Sequence, residues 1–114
     1  MSGRTTVDFL TDARDHCLML ADRARDVAPA AFAVDEVRLQ SAIYCVLVIG
    51  EAMNRVPKEV RTLVPEVAWE PAIAMRNRLV HAYWLADPEI VFRVAADDAP
   101  KLAGQLDRLI LRLS

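Results

Sequence analysis

The chain has 114 residues, which suits one domain able to hide roughly two-thirds of its unfolded surface. Hydrophobic residues make up 54% of it, aromatics are sparse and glycines number three, a balance that favours helices over a β-sandwich. A formal charge of −2 argues against a protein that grips nucleic acid through bulk charge, and the longest apolar run, residues 42–50, is too short to cross a bilayer.

The opening segment Met1–Thr6 holds no apolar stretch of the signal-peptide kind, so a cytoplasmic protein without a membrane partner is expected. A first helix is predicted from Thr6 to Asp26. Phe9, Leu10, Ala13, Cys17, Leu20, Ala21 and Ala24 recur on one face, with Asp8, Asp12, Asp15, Asp22 and Asp26 opposite. The acidic face is a solvated surface that would repel RNA. His16 projects to the core side. There a hydrogen-bonded histidine at the edge of the core is the plain reading and a substrate-facing one the rival. Ala28-Pro29 ends the helix.

A second helix is predicted from Val34-Asp35, with Asp35 as N-cap, to Asn54. Its Ser41–Ile49 run is apolar on nearly every side, which calls for burial at a bundle centre or a dimer seam. Gly50 lets another backbone approach, and Glu51 either pairs with an arginine or reaches solvent. Cys17 and Cys45 lie in apolar helical patterns without Cys-x-x-Cys spacing and read as buried thiols. Pro57 opens a short turn over Lys58–Leu63, and Trp69 pins the loop between Pro65 and Pro71. A third helix starts at Pro71 and runs to Trp84. Asp87-Pro88 caps a fourth through Val94. Asp97-Asp98-Ala99-Pro100 restarts the chain as a fifth, with Leu102, Leu106, Leu109, Ile110 and Leu113 as its core stripe. No stretch alternates like a strand. The expected fold is all-α, a small antiparallel bundle of about five helices forming one domain over residues 1–114.

Polar chemistry concentrates in Met75–Trp84, which packs Arg76, Asn77, Arg78, His81 and Tyr83 into ten residues. Residues 55–84 are also the only net-positive segment, with five Lys and Arg against three acids. On an ideal helix Asn77 and His81 are one turn apart, whereas Arg76 and His81 are separated by about 7.5 Å of rise and about 140°. They cannot form one compact pair but can bracket an extended anion such as a phosphodiester. Tyr83 falls beside Arg76, and Arg78 points elsewhere, a supporting cation at most. A neutral imidazole can take the proton of a 2′-hydroxyl, and a guanidinium can stabilise charge on a pentavalent phosphate. The amide of Asn77 can orient the imidazole or the ribose. A general acid is still missing, and a two-fold dimer that joins two copies of the motif supplies it. The clustered acids of a two-metal nuclease are absent, as are nucleotide-binding glycine patterns, so no metal and no cofactor is expected.

The ordered set Ile49-Gly50-Glu51-Ala52-Met53, Pro65…Trp69, Met75–Trp84 and Asp87–Val91 resembles the HEPN superfamily, in particular the HepT-like toxins of HepT–MntA toxin–antitoxin pairs. The resemblance covers roughly residues 40–112; the first helix fits in layout only. It implies a helical homodimer whose two Arg-x4-His motifs meet in a cleft and cut RNA without metal. Arg76 and His81 match the catalytic pair and Asn77 the polar residue between them. It also implies a nucleotidyltransferase antitoxin that silences the toxin by adding AMP to Tyr83. Ala82 stands where glycine is frequent. Glu51 is a candidate for positioning the arginine. The rival from another class is a non-catalytic subunit that binds a nucleotide or docks a nucleotidyltransferase.

Overall fold

The computed structural model describes residues 3–114; Met1 and Ser2, at the head of the segment expected to lack a signal peptide, lie outside it. Seven α-helical segments follow one another: α1 (Thr6–Arg23), α2 (Pro29–Val34), α3 (Glu36–Asn54), α4 (Lys58–Arg61), α5 (Trp69–Ala82), α6 (Pro88–Arg93) and α7 (Ala99–Leu113). A 3₁₀ turn, Tyr83–Leu85, follows α5, and a π-helical turn, Val94–Asp98, joins α6 to α7. Among the described residues there is no strand, and no helix is long and apolar enough to cross a membrane.

The helix starts are written in side chains. Thr5 and Asp8 form a reciprocal capping box on α1. Asp35 accepts the Arg38 N–H at 3.0 Å and caps α3. Asp87 accepts the Glu89 N–H ahead of Pro88 and caps α6. The last two caps stand where the sequence places them. α1 ends earlier than expected, at Arg23, and Asp26 adopts φ 57°, the left-handed conformation that an aspartate tolerates beyond a helix end. Pro29 then opens α2, an element without a sequence expectation. Its Phe32 is fully buried and meets Phe92 edge to face at 5.3 Å between centroids.

Helices α1, α3, α5 and α7 form the bundle: α1 packs against both α3 and α7, and α3 packs against both α1 and α5. Leu10, Ala13, Cys17 and Leu20 from α1 meet Cys45, Val46, Ile49 and Met53 from α3 and Ala103, Leu106 and Leu109 from α7 in one core. The bundle of one chain does not cover α3 on every side, so of the two expected settings the bundle centre alone does not account for the Ser41–Ile49 run. Val37 and Tyr44 stand exposed on the open side.

The expected restart at Asp97–Pro100 does not occur. Helical backbone continues through Arg93, Val94 and Ala99, so α6, the π turn and α7 make one uninterrupted path. Pro100 lacks an N–H, and its ring would strike the carbonyl four residues earlier in a regular helix. The π turn, with Ala99 N–H donating to the Val94 carbonyl, widens the backbone there and accommodates it.

Cys17 and Cys45 are buried free thiols. Burial, with a smaller effect from Cys45, pushes the Cys17 thiol up to about 12. The unfolded chain gives up this proton near pH 9, while the native state holds it to about pH 12. Stability from the protonated thiol is therefore complete below about pH 9 and declines as pH rises through that window. Between pH 8 and 10.5 the wild type should lose about 2 kcal/mol more than Cys17→Ala, read from urea midpoints. Equal losses would remove the thiol as the cause.

Candidate active site

The segment that delivers α5 is fastened at both ends. The Arg61 side chain donates through Nε to the Val56 carbonyl and through Nη2 to the Asn54 carbonyl, each at 3.0 Å. It thereby satisfies carbonyls left open where α3 ends. Its Nη1 lies 3.5 Å from Glu70 in the first turn of α5. Trp69, only 5% exposed, donates its indole N–H to the Val64 carbonyl at 3.2 Å and begins α5 itself, two residues before the expected Pro71 start.

Further along, α5 meets α3 at near-backbone distance. A Cβ on Gly50 would lie 2.2 Å from Arg76 Cβ and 3.0 Å from the Ala72 carbonyl oxygen. This contact sets Arg76 beside the next residue of α3, Glu51. Arg76 Nη2 lies 3.0 Å from Glu51 Oε1, and Arg76 Nη1 donates to Asn77 Oδ1 at 2.8 Å. Glu51 Oε2 accepts from Arg55 Nε at 3.0 Å. The Arg76 guanidinium is thus held from two sides, with donors to spare among its five N–H groups. Asn77 orients the guanidinium, where the sequence suggested the imidazole or the ribose.

His81 stands exposed in the last turn of α5. It lines a groove of about 480 Å³ between α5 and α6, together with Asn77, Arg78, Leu85, Asp87 and Ile90. That volume falls in the range of roughly 300–1,000 Å³ usual for ligand clefts. Arg76 and His81 therefore lie on two sides of α5, as helical angles require. Arg78, expected to point elsewhere, shares the groove with His81.

Tyr83 departs from its expected place. Ala82, at φ −155° and ψ 56°, breaks the α-helix, so Tyr83 belongs to the 3₁₀ turn and no longer follows the angle that set it beside Arg76. Its ring meets Trp84 edge to face at 5.5 Å. Tyr83 is 66% exposed and Trp84 68%. His16 keeps its plain role: Nδ1 lies 2.8 Å from the Asp12 carbonyl and the ring sits edge-on to Tyr44.

The net-positive segment is mostly consumed within the fold. Arg55 and Arg76 share Glu51, and Arg61 caps α3. Among the described residues Arg78 and Lys58 are its two cations without an ion pair. The acidic face of α1 is likewise damped, since Asp12 pairs with Arg4, Asp15 with Arg14, and Asp22 with Arg23 and Arg25.

The family model of HepT-like ribonucleases matches residues 13–109. A protein of Thermococcus cleftensis named as a probable ribonuclease HepT is 27% identical over 106 residues, covering 93% of this chain and 96% of its own length. Proteins named as candidate RNases are similar too. One from Caldanaerobacter subterraneus is 25% identical over 107 residues, 94% of this chain and 96% of its own. One from Methanocaldococcus jannaschii is 26% identical over 110 residues, 96% of this chain and 95% of its own. No solved structure matches the chain.

The Gly50 contact admits a direct test by stability. Gly50→Ala should cost about 1–3 kcal/mol in urea denaturation, because helix backbone must move to admit the methyl group. Gly104→Ala in α7, whose Cβ would meet nothing nearer than Arg108 Nη1 at 3.6 Å, should be neutral or gain up to about 1 kcal/mol. Equal stability of the two variants would remove the close contact.

Proposed function

The chain belongs to the HepT-like ribonuclease family, and on that premise we propose that it is a metal-independent endoribonuclease acting as the toxin of a toxin–antitoxin pair. Residues 1–114 form one helical domain that works as a homodimer. The observation that carries the reading is the Arg76 guanidinium, fixed by Glu51 and Asn77 at the edge of α5, with the exposed His81 imidazole further along the same helix. A preset cation that need not reorganise is what a developing phosphorane charge requires.

His81 takes the proton of the ribose 2′-hydroxyl as O2′ attacks the adjacent phosphorus. Arg76 meets the negative charge that builds on the non-bridging oxygens. The bond from phosphorus to O5′ then breaks, and O5′ takes a proton from the His81 of the second copy. A cyclic phosphate and a free 5′-hydroxyl result. Asn77 and Glu51 position Arg76, and Arg78 supports the negative backbone in the groove.

The dimer is supported by the open side of α3. Val37, Tyr44 and Glu51 recur at intervals of seven, so a strip with two exposed large apolar side chains leads along one face to the Glu51–Arg76 pair. Val80, one turn after Arg76, is exposed beside it. A two-fold contact along this strip would join two motifs. The partner antitoxin is a nucleotidyltransferase, and the exposed Tyr83 phenol is its acceptor. AMP added there would place a charged, bulky group on the turn between Ala82 and Leu85, two residues of the groove that holds His81.

Purified wild-type protein should cut total RNA in EDTA, and His81→Ala and Arg76→Ala should each lose at least about 100-fold in rate while keeping the helical circular dichroism of the wild type. Full cleavage by His81→Ala would sink the catalytic assignment. Incubation with the transferase and ATP should add one AMP mass to the wild type and none to Tyr83→Phe; an unmodified wild type would count against the silencing step.

A further inference from the structure

The proposed function gives roles to Arg76, Asn77, His81 and the Tyr83 phenol but leaves the large ring of Trp84 without a task. Trp84 and Tyr83 are among the most exposed large side chains of the chain. Both belong to the turn between Ala82 and Leu85, two residues that line the His81 groove, so the turn that carries them forms a lip of that groove. Their planes meet at 82°, an edge-to-face pair that cannot cover both faces of both rings. The break at Ala82 turns them out of the helical path. Exposed Leu85 and Ile90 continue the apolar surface into the groove.

We propose that Trp84 is a nucleobase-binding residue: it stacks an unpaired base of the RNA while Arg78, Asn77 and His81 hold the adjoining backbone. The proposal rests on the ribonuclease reading and adds the substrate class, single-stranded RNA. The polar half of the groove decides the occupant. An apolar protein surface laid on this lip would also cover Arg78 and His81, and a buried cation without a partner is costly. A phosphodiester gives Arg78 its ion pair, and a base offers a flat π-face to the indole. Stacking of this kind tolerates any base and contributes on the order of 5- to 100-fold in affinity. Bases inside a duplex have both faces covered, so only an unpaired segment can use the ledge.

The two tryptophans make the test direct, because Trp69 is buried and Trp84 exposed. A short single-stranded 2′-O-methyl oligoribonucleotide lacks the 2′-hydroxyl nucleophile and can be titrated into the intact protein without cleavage. It should quench the red-shifted Trp84 emission. Trp84→Ala should bind it about 5- to 100-fold more weakly, and Trp84→Phe should keep most of the affinity. An otherwise identical abasic strand should bind the wild type as weakly as the intact strand binds Trp84→Ala. Equal affinity of wild type and Trp84→Ala for the intact strand would overturn the proposal. A change of oligomeric size in Trp84→Ala, seen by light scattering, would overturn it too and assign the ledge to a protein contact. Cleavage of natural RNA is assayed in parallel. Failure of the wild type to cut would refute the ribonuclease reading on its own, because the stacking result does not depend on cleavage.

Discussion

The arrangement depends on one steric fact: α3 and α5 touch where α3 has no side chain. Gly50 removes the Cβ that would otherwise overlap Arg76 Cβ, and the two helices close to near-backbone contact. The polar surroundings of Arg76 follow from that approach. Glu51 is the next residue on α3, so the contact that brings Arg76 in also delivers its carboxylate. Asn77 is the next residue on α5 and closes the other side of the guanidinium. An arginine on a lone helix would sweep through many rotamers. Here most of that freedom is already spent in the fold, so less is lost when an anion arrives.

The same economy explains why the charge count is a poor guide to the surface. Residues 55–84 carry a net positive charge, yet Arg61 serves to end α3 and Arg55 to hold Glu51. The cation left facing the groove is Arg78. The aspartates of α1 are similarly answered by their own arginines at 2.8–3.1 Å where Asp15 and Asp22 are concerned. Exposed pairs like these contribute little stability. Their consequence is a flattened field, in which a single free arginine beside a cleft has more influence than the total suggests.

Much of this was legible in the sequence, and the failures have physical causes. Asp35 and Asp87 are capping residues whose geometry is local, so they could be read directly. Gly50 could be read as a place of close approach, although not as the seat of Arg76, because the partner surface comes from a helix more than twenty residues away. Pro100 misled because proline ordinarily breaks a helix, and a π turn that absorbs it leaves no local pattern. Tyr83 misled for the opposite reason. Its angle was extrapolated along an α-helix that Ala82 had already ended, and a residue one step past a break cannot be placed by period. α2 was missed because six residues are too few to show a period; tertiary contact of Phe32 with Phe92 holds it. The capping arginine Arg61 carried no signal, since its acceptors are backbone carbonyls that any sequence would present.

Arg76 and His81 occupy different sides of one helix, and this division has a consequence for how such a site can work. Arg76 lies against α3, next to the strip that carries Val37 and Tyr44; His81 lies in the groove toward α6, in the helical turn before the segment that carries Trp84. One flexible strand can reach both only by wrapping the edge of α5, with its phosphate at the arginine and a base beyond the histidine. A rigid duplex could not make that turn without severe bending. In the proposed dimer, a second copy that set its own His81 near this chain's Arg76 would shorten that path. The proposed substrate, thin, flexible and unpaired, suits such a path, and the arginine it would meet is held in advance beside a glycine on the neighbouring helix.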